Sequence, residues 1–234
     1  MRICDMTHRT FAEVWNYYKG LRFGNLTSPE YRHILWLIFW PVFGALFYSL
    51  ERLIPMNFHP VACGLDACIP FCEYFVIPYY YWFAFMIGML AYTLLFNIPA
   101  FVNYMKFVLI TYAITITFYI LYPTMQELRP TVFPRDNLCT DIVQLLYAFD
   151  TNTNVCPSIH ILGAVAACLG GWQCRTMATT GWRIFLIVST VLICASTVFL
   201  KQHSIIDVIA ALAVCAIAYP FVYTADKKKH PQTA

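Results

Sequence analysis

The sequence predicts an all-α, polytopic membrane helix bundle with about six transmembrane helices. Three observations carry this reading. Hydrophobic residues make up 60% of the chain and charged residues only 12%, the mean hydropathy is positive, and the apolar residues gather into long runs. At 234 residues a soluble domain would need a much more polar surface. The net charge of +3 is small and comes from clustered lysines and arginines. No groove of interleaved basic and aromatic residues is present, so a nucleic-acid partner is not expected.

Residues 1–33 are polar and basic and form a first segment. Phe11, Val14, Trp15, Tyr18 and Leu21 recur at helical spacing, which predicts an amphipathic helix on the membrane surface. A poorly ordered tail is the plainer alternative. The segment lacks the continuous apolar core and small-residue cleavage site of a signal peptide, so the first hydrophobic run is expected to do the targeting.

The membrane domain is expected over 34–223, from six apolar runs near 34–53, 74–96, 102–122, 159–174, 183–200 and 204–223. Each is about long enough to cross a bilayer as a helix. Pro41, Pro78 and Pro220 fall within or near the ends of these runs and are expected to kink the helices rather than abolish them. The fourth run is the shortest and holds Gly163, Ala164, Ala166, Ala167, Gly170 and Gly171. Small residues let helices approach closely, which predicts a central helix. Residues 224–234 form a basic tail.

Six spans put both termini on one side, with eleven lysines and arginines there against Arg52, Arg129, Arg135 and Lys201 on the other. The excess places the termini in the cytoplasm. Loops 54–73 and 123–157 and the turn 201–203 then face outward, while the glycosylation sequon Asn25-Leu26-Thr27 stays on the cytoplasmic side. Cys63, Cys68, Cys72, Cys139 and Cys156 lie in or beside the outer loops, where disulfides could form. Their spacing does not match a zinc site, so no metal is expected. The cysteines within the spans read as small buried hydrophobes.

The polar residues beside these runs need a reason, because unpaired polar groups are costly at membrane depth. His203 and Asp207 are four apart at the start of the sixth run. On a helix they would share a face, with the carboxylate fixing the imidazole tautomer and leaving the other nitrogen to attack. A purely structural interfacial pair is the alternative. Pro157 and Ser158 open the fourth run, proline fitting the first helical turn. Free N–H groups and the Ser158 hydroxyl would make a phosphate seat, and His160 could protonate a leaving oxygen; a plain helix start with an interfacial histidine is the alternative. Arg129 and Lys201 are cations suited to bind phosphate, or else ordinary interfacial charges. All of these fall at the outer ends of the third to sixth runs.

The ordered set Arg129-Pro130, Pro157-Ser158-Ile159-His160 and Ser196…His203…Asp207 resembles the type 2 phosphatidic acid phosphatase superfamily. That family shows KxxxxxxRP, PSxH and SRxxxxxHxxxD in this order, and the resemblance spans about 102–223. It implies that His203 forms a phosphohistidine, that Asp207 orients it, and that His160 is the general acid that later activates the acceptor. Arg129 and Ser158 match its phosphate-binding residues. Two cations depart from the pattern: Tyr122 stands at the lysine position and Thr197 at the second arginine. Lys201 and Arg135 are the cations expected to compensate.

These residues together predict an integral membrane hydrolase acting on a lipid phosphate at the extracytoplasmic face. No cofactor is expected, since no carboxylate cluster suggests magnesium. Lipid phosphotransferases similar to sphingomyelin and inositol phosphorylceramide synthases relax the same cationic positions, so transfer to a lipid alcohol is a rival. A non-catalytic lipid-binding or scaffold protein is another.

Overall fold

The computed structural model describes residues 9–52 and 57–224. Beyond Thr224 the basic tail lies outside the described residues. Nine α-helices are found among them: α1 (Phe11–Tyr18), α2 (Phe39–Arg52), α3 (Gly64–Cys68), α4 (Val76–Phe96), α5 (Ile98–Leu121), α6 (Leu138–Phe149), α7 (Ile159–Trp172), α8 (Thr180–Phe199) and α9 (Ile205–Tyr219). Five helical stretches are long and apolar enough to cross a membrane: Arg32–Arg52, Glu73–Phe96, Ile98–Leu121, Thr180–Phe199 and Ile205–Thr224. The chain is an integral membrane protein built as a helical bundle.

The difference from the six expected spans lies in α7. It has 14 residues, a rise of about 21 Å at 1.5 Å per residue, short of a hydrocarbon layer of about 30 Å. Ser158 starts it and Gln173 ends it, so the apolar run from 159 to 174 overstates the helix. Its place is central, as its composition predicts. It packs against α4, α5, α8 and α9, and Ile161, Leu162, Ala164, Ala166 and Ala167 are fully buried. Glycines permit the close approach: a Cβ on Gly163 would stand 2.7 Å from Met86 Sδ, and one on Gly170 2.8 Å from Tyr104.

The prolines mark changes of helix type: Pro41 and Pro78 stand in the first turns of α2 and α4, each preceded by a 3₁₀ stretch, and Pro220 stands where α9 passes into a short π-type stretch. At the N-terminus α1 is shorter than predicted and stops before Leu21. Thr10 and Glu13 form a capping box that starts it. Phe11 and Trp15 are exposed, while Tyr17 is buried and the Tyr18 hydroxyl donates to Leu94 O at 2.9 Å.

At the opposite end, loops weave into one packed layer. Strand β1 (His59–Pro60) pairs in parallel with β2 (Thr124–Met125), and Met125 bridges to Thr153. Glu73 fixes α6 to this layer by accepting from Arg135 Nε at 2.6 Å, Arg135 Nη2 at 2.8 Å and Asn137 Nδ2 at 2.9 Å. Cys63, Cys68, Cys72, Cys139 and Cys156 are all free thiols here.

Candidate active site

Ser204 is the N-cap of α9, and its backbone is extended at φ −76° and ψ 158°. Its hydroxyl accepts from Ile206 N–H at 3.2 Å, and Asp207 Oδ2 reaches back to accept Ser204 N–H at 2.9 Å. This is a capping box. The same Oδ2 faces His203 Nδ1 at 3.2 Å. His203 therefore lies one residue outside the helix, which corrects the expectation that it shares a helical face with Asp207. The pair forms because the cap folds the chain back onto the carboxylate. A carboxylate on Nδ1 holds the proton there and leaves the Nε2 lone pair available.

The start of α7 lies against this pair. Ser158 is its N-cap, and Ser158 N–H donates to Asp207 O at 3.3 Å. Pro157 precedes the cap instead of entering the first turn as expected, because Ser158 is still extended, and Pro157 O accepts the Tyr119 hydroxyl at 2.6 Å. The Ser158 hydroxyl is fully buried and has no hydrogen-bond partner among the described residues. No side chain caps the first turn of α7, so its N–H groups keep their attraction for an anion. Burial first, then the Asp207 charge, pushes the neighbouring Cys156 thiol up to about 12. It stays protonated beside the carboxylate.

His160 is the second residue of α7. Its ring lies 4.5 Å from the Tyr79 ring and 4.5 Å from that of Trp82, both on α4, and 5.8 Å from the His203 ring. Two imidazoles from different segments thus face each other beside an uncapped helix start. One is anchored by a carboxylate and the other by aromatic walls.

The cations are engaged with the protein. Arg129 Nε donates to Gln202 Oε1 at 3.0 Å, Nη1 to Tyr147 O at 3.2 Å and Asp150 O at 3.1 Å, and Nη2 to Thr151 O at 2.9 Å and Gln202 Oε1 at 2.6 Å. All five of its N–H donors are used. Lys201 Nζ donates to Asp66 O at 2.7 Å and Ile69 O at 2.6 Å. Burial lowers the Lys201 ammonium from its usual value, and the Asp66 charge opposes that shift. Arg135 is committed to Glu73 in the bidentate pair described above.

The PAP2 superfamily model matches residues 103–231, more than half the chain. The chain belongs to the PAP2 superfamily. No curated protein and no solved structure matches it. The superfamily is one of lipid phosphatases and phosphotransferases, and its matched stretch contains His160, His203 and Asp207.

The two departures from the superfamily pattern have definite places. Tyr122, at the lysine position, stacks on His59 with ring centroids 4.2 Å apart. Thr197 is buried, and its carbonyl accepts both Gln202 N–H at 2.9 Å and His203 N–H at 3.0 Å. Its contribution is made through the backbone.

Four neighbours of the site carry no sequence signal that singles them out. Tyr79 and Trp82 belong to an aromatic run, Asp66 to a polar loop, and Gln202 is a lone amide between Lys201 and His203. Gln202 Nε2 donates to Asp150 Oδ2 at 3.1 Å, and the Tyr79 hydroxyl donates to the same oxygen at 3.2 Å. Burial pushes the Asp150 carboxyl up, offset by the Arg129 charge. This network joins Arg129, the residue before His203 and the wall of His160.

Proposed function

We propose that the chain hydrolyses a lipid phosphomonoester or diphosphate through a phosphohistidine on His203. The observation that carries this is the facing pair of imidazoles, 5.8 Å apart, with Asp207 on Nδ1 of one of them. His203 Nε2 attacks the terminal phosphorus as its bond to the leaving oxygen breaks, the ester oxygen of a monoester or the bridging oxygen of a diphosphate, and His160 gives its proton to that oxygen. Water then loses a proton to His160 and attacks phosphorus, breaking the N–P bond and releasing phosphate. The Ser158 hydroxyl and the first turn of α7 donate to the equatorial oxygens. Arg129 and Lys201 complete the phosphate-binding set through their positive field. Counted over six crossings, with α7 as the short fourth, the lysine and arginine excess supports an extracytoplasmic position for this end.

A second reading has its own support. With Tyr122 and Thr197 in place of two cations, the site resembles phosphotransferases that pass the group to a lipid hydroxyl. Purified protein in detergent, offered a lipid phosphate in water with and without lipid alcohols, separates the two. Hydrolysis predicts free phosphate in both mixtures, and transfer predicts a new phospholipid only when the alcohol is present. His203→Ala removes either product, lowering turnover by roughly 10⁴-fold or more. Full activity in that variant contradicts both readings.

A further inference from the structure

Asp66 lies in α3, before the stretch that matches the superfamily, yet its side chain is built into the start of α9. Oδ2 accepts the Ser204 hydroxyl at 2.6 Å, and Oδ1 accepts Ile205 N–H at 2.9 Å. Oδ2 also accepts Cys63 N–H at 2.8 Å, closing the turn that carries Asp66. Asp66 as a whole is 2% exposed.

The same turn holds the residue on the other side of His203. Lys201 has φ +54°, a left-handed backbone that a long side chain seldom adopts unless its surroundings impose it. Its ammonium is tied to the carbonyls of Asp66 and Ile69. The α3 turn therefore grips Lys201 before His203, and Ser204 with Ile205 after it. Between these grips, Gln202 and His203 hang from one acceptor, Thr197 O.

We infer that Asp66 is a positioning residue for the reaction at His203, fixing the helix start whose Asp207 carboxylate orients the imidazole. The inference rests on the reading of His203 as nucleophile. A carboxylate at a helix N-terminus is favoured by the exposed N–H groups and the dipole. Asp66 fills that role at α9, whereas no side chain does so at α7. The two helix starts that meet at His203 are thus differentiated: one is held by the protein and the other is open to a phosphoryl group. Without Asp66, the Ser204 hydroxyl and Ile205 N–H lose their acceptor. Lys201 keeps its two carbonyl acceptors, but the start of α9 loses its anchor and His203 is free to swing.

The test uses the full chain in detergent with two variants. Asp66→Asn keeps the size and one acceptor oxygen but removes the charge, and Asp66→Ala removes both acceptors. Displacing a reacting group by about an ångström costs up to about 100-fold. We expect kcat to fall by about that factor in Asp66→Ala and by less in Asp66→Asn, with KM little changed. A ¹⁵N spectrum of the His203 imidazole should show the Nδ1–H signal broadened or lost in Asp66→Ala. Thermal melting is followed in parallel, and if Asp66→Ala does not fold, Asp66→Asn decides. Wild-type kcat with an unchanged imidazole signal overturns the inference. So does activity that falls only in proportion to folded protein while the signal stays intact. If the wild-type chain turns over no lipid phosphate, the reading of His203 as nucleophile fails, and the imidazole spectrum still reports whether Asp66 holds the ring.

Discussion

Two jobs meet on one oxygen of Asp207. Its Oδ2 closes the capping box of α9 and holds His203 Nδ1, so the capping box alone accounts for a carboxylate here, and the imidazole on the same atom is what points to chemistry. Asp207→Asn keeps the shape and removes the charge. An amide oxygen in the place of Oδ2 still accepts Ser204 N–H and faces Nδ1, but no carboxylate then stabilises the positive charge that grows on the imidazole as it attacks. Turnover should fall on the order of 10⁴-fold, as it does for the same exchange in Ser-His-Asp enzymes, while the melting temperature changes little. Near-normal turnover would show that the carboxylate charge is not what Asp207 supplies.

Asp66 gives a second residue-scale prediction. Burial works to raise its carboxyl, but bonds from Ser204, Ile205 and Cys63 outweigh it and hold the group below its ordinary value; the nearby cation is Lys201. A depressed folded pKa contributes stability above the ordinary carboxylate range and loses it as pH falls through the lowered value. The melting difference between wild type and Asp66→Asn should be steady near neutral pH and shrink in acid. A difference that stays constant down through that range would contradict the assignment. The motif histidines, Ser158 and Asp207 were legible in the sequence because their order and spacing are distinctive. Asp66 was not, since its bonds to Ser204 and Ile205 leave no local pattern.

At the scale of the element, α7 couples packing to the site. Its glycines admit α4 so closely that a Cβ on Gly163 would also stand 3.0 Å from Trp82, the residue that walls His160. Gly163→Ala should cost about 1–3 kcal/mol from overpacking and push Trp82 off the imidazole. Melting in detergent and the tryptophan emission maximum would report both effects, and an unchanged spectrum with full stability would show that α4 can yield. The central place of α7 was readable from its glycine and alanine content. Its exact end was not, because Cys174 carries the apolar run two residues past Trp172, where the helix stops just after two adjacent glycines. The placement of His203 outside α9 was hidden for a related reason: a Ser-x-x-Asp cap and a helical i, i+4 pair look the same in the sequence.

Across the whole molecule, the membrane bundle followed from composition and runs of apolar residues, which depend on the solvent more than on detailed packing. The site is assembled from four separated regions: the α3 turn, the start of α4, the approach to α7 and the α8–α9 turn. The last two carry recognisable motifs, and the first two lie before the matched stretch. Arg129 was expected to face phosphate, and in this structure it braces Gln202 and the segment after α6 with all five donors. Gln202→Ala would leave two of those donors unpaired, a cost of about 1–3 kcal/mol that thermal melting can measure. No change in melting would show that the brace contributes nothing.

The central claim is a covalent bond between His203 and phosphorus. The direct test incubates the purified protein with a lipid phosphate labelled in the phosphoryl group, quenches it in alkaline denaturant and maps the label by peptide mass spectrometry. The account predicts acid-labile phosphohistidine on the peptide carrying His203, absent from His203→Ala. Continued phosphate release with no label on His203 would contradict it.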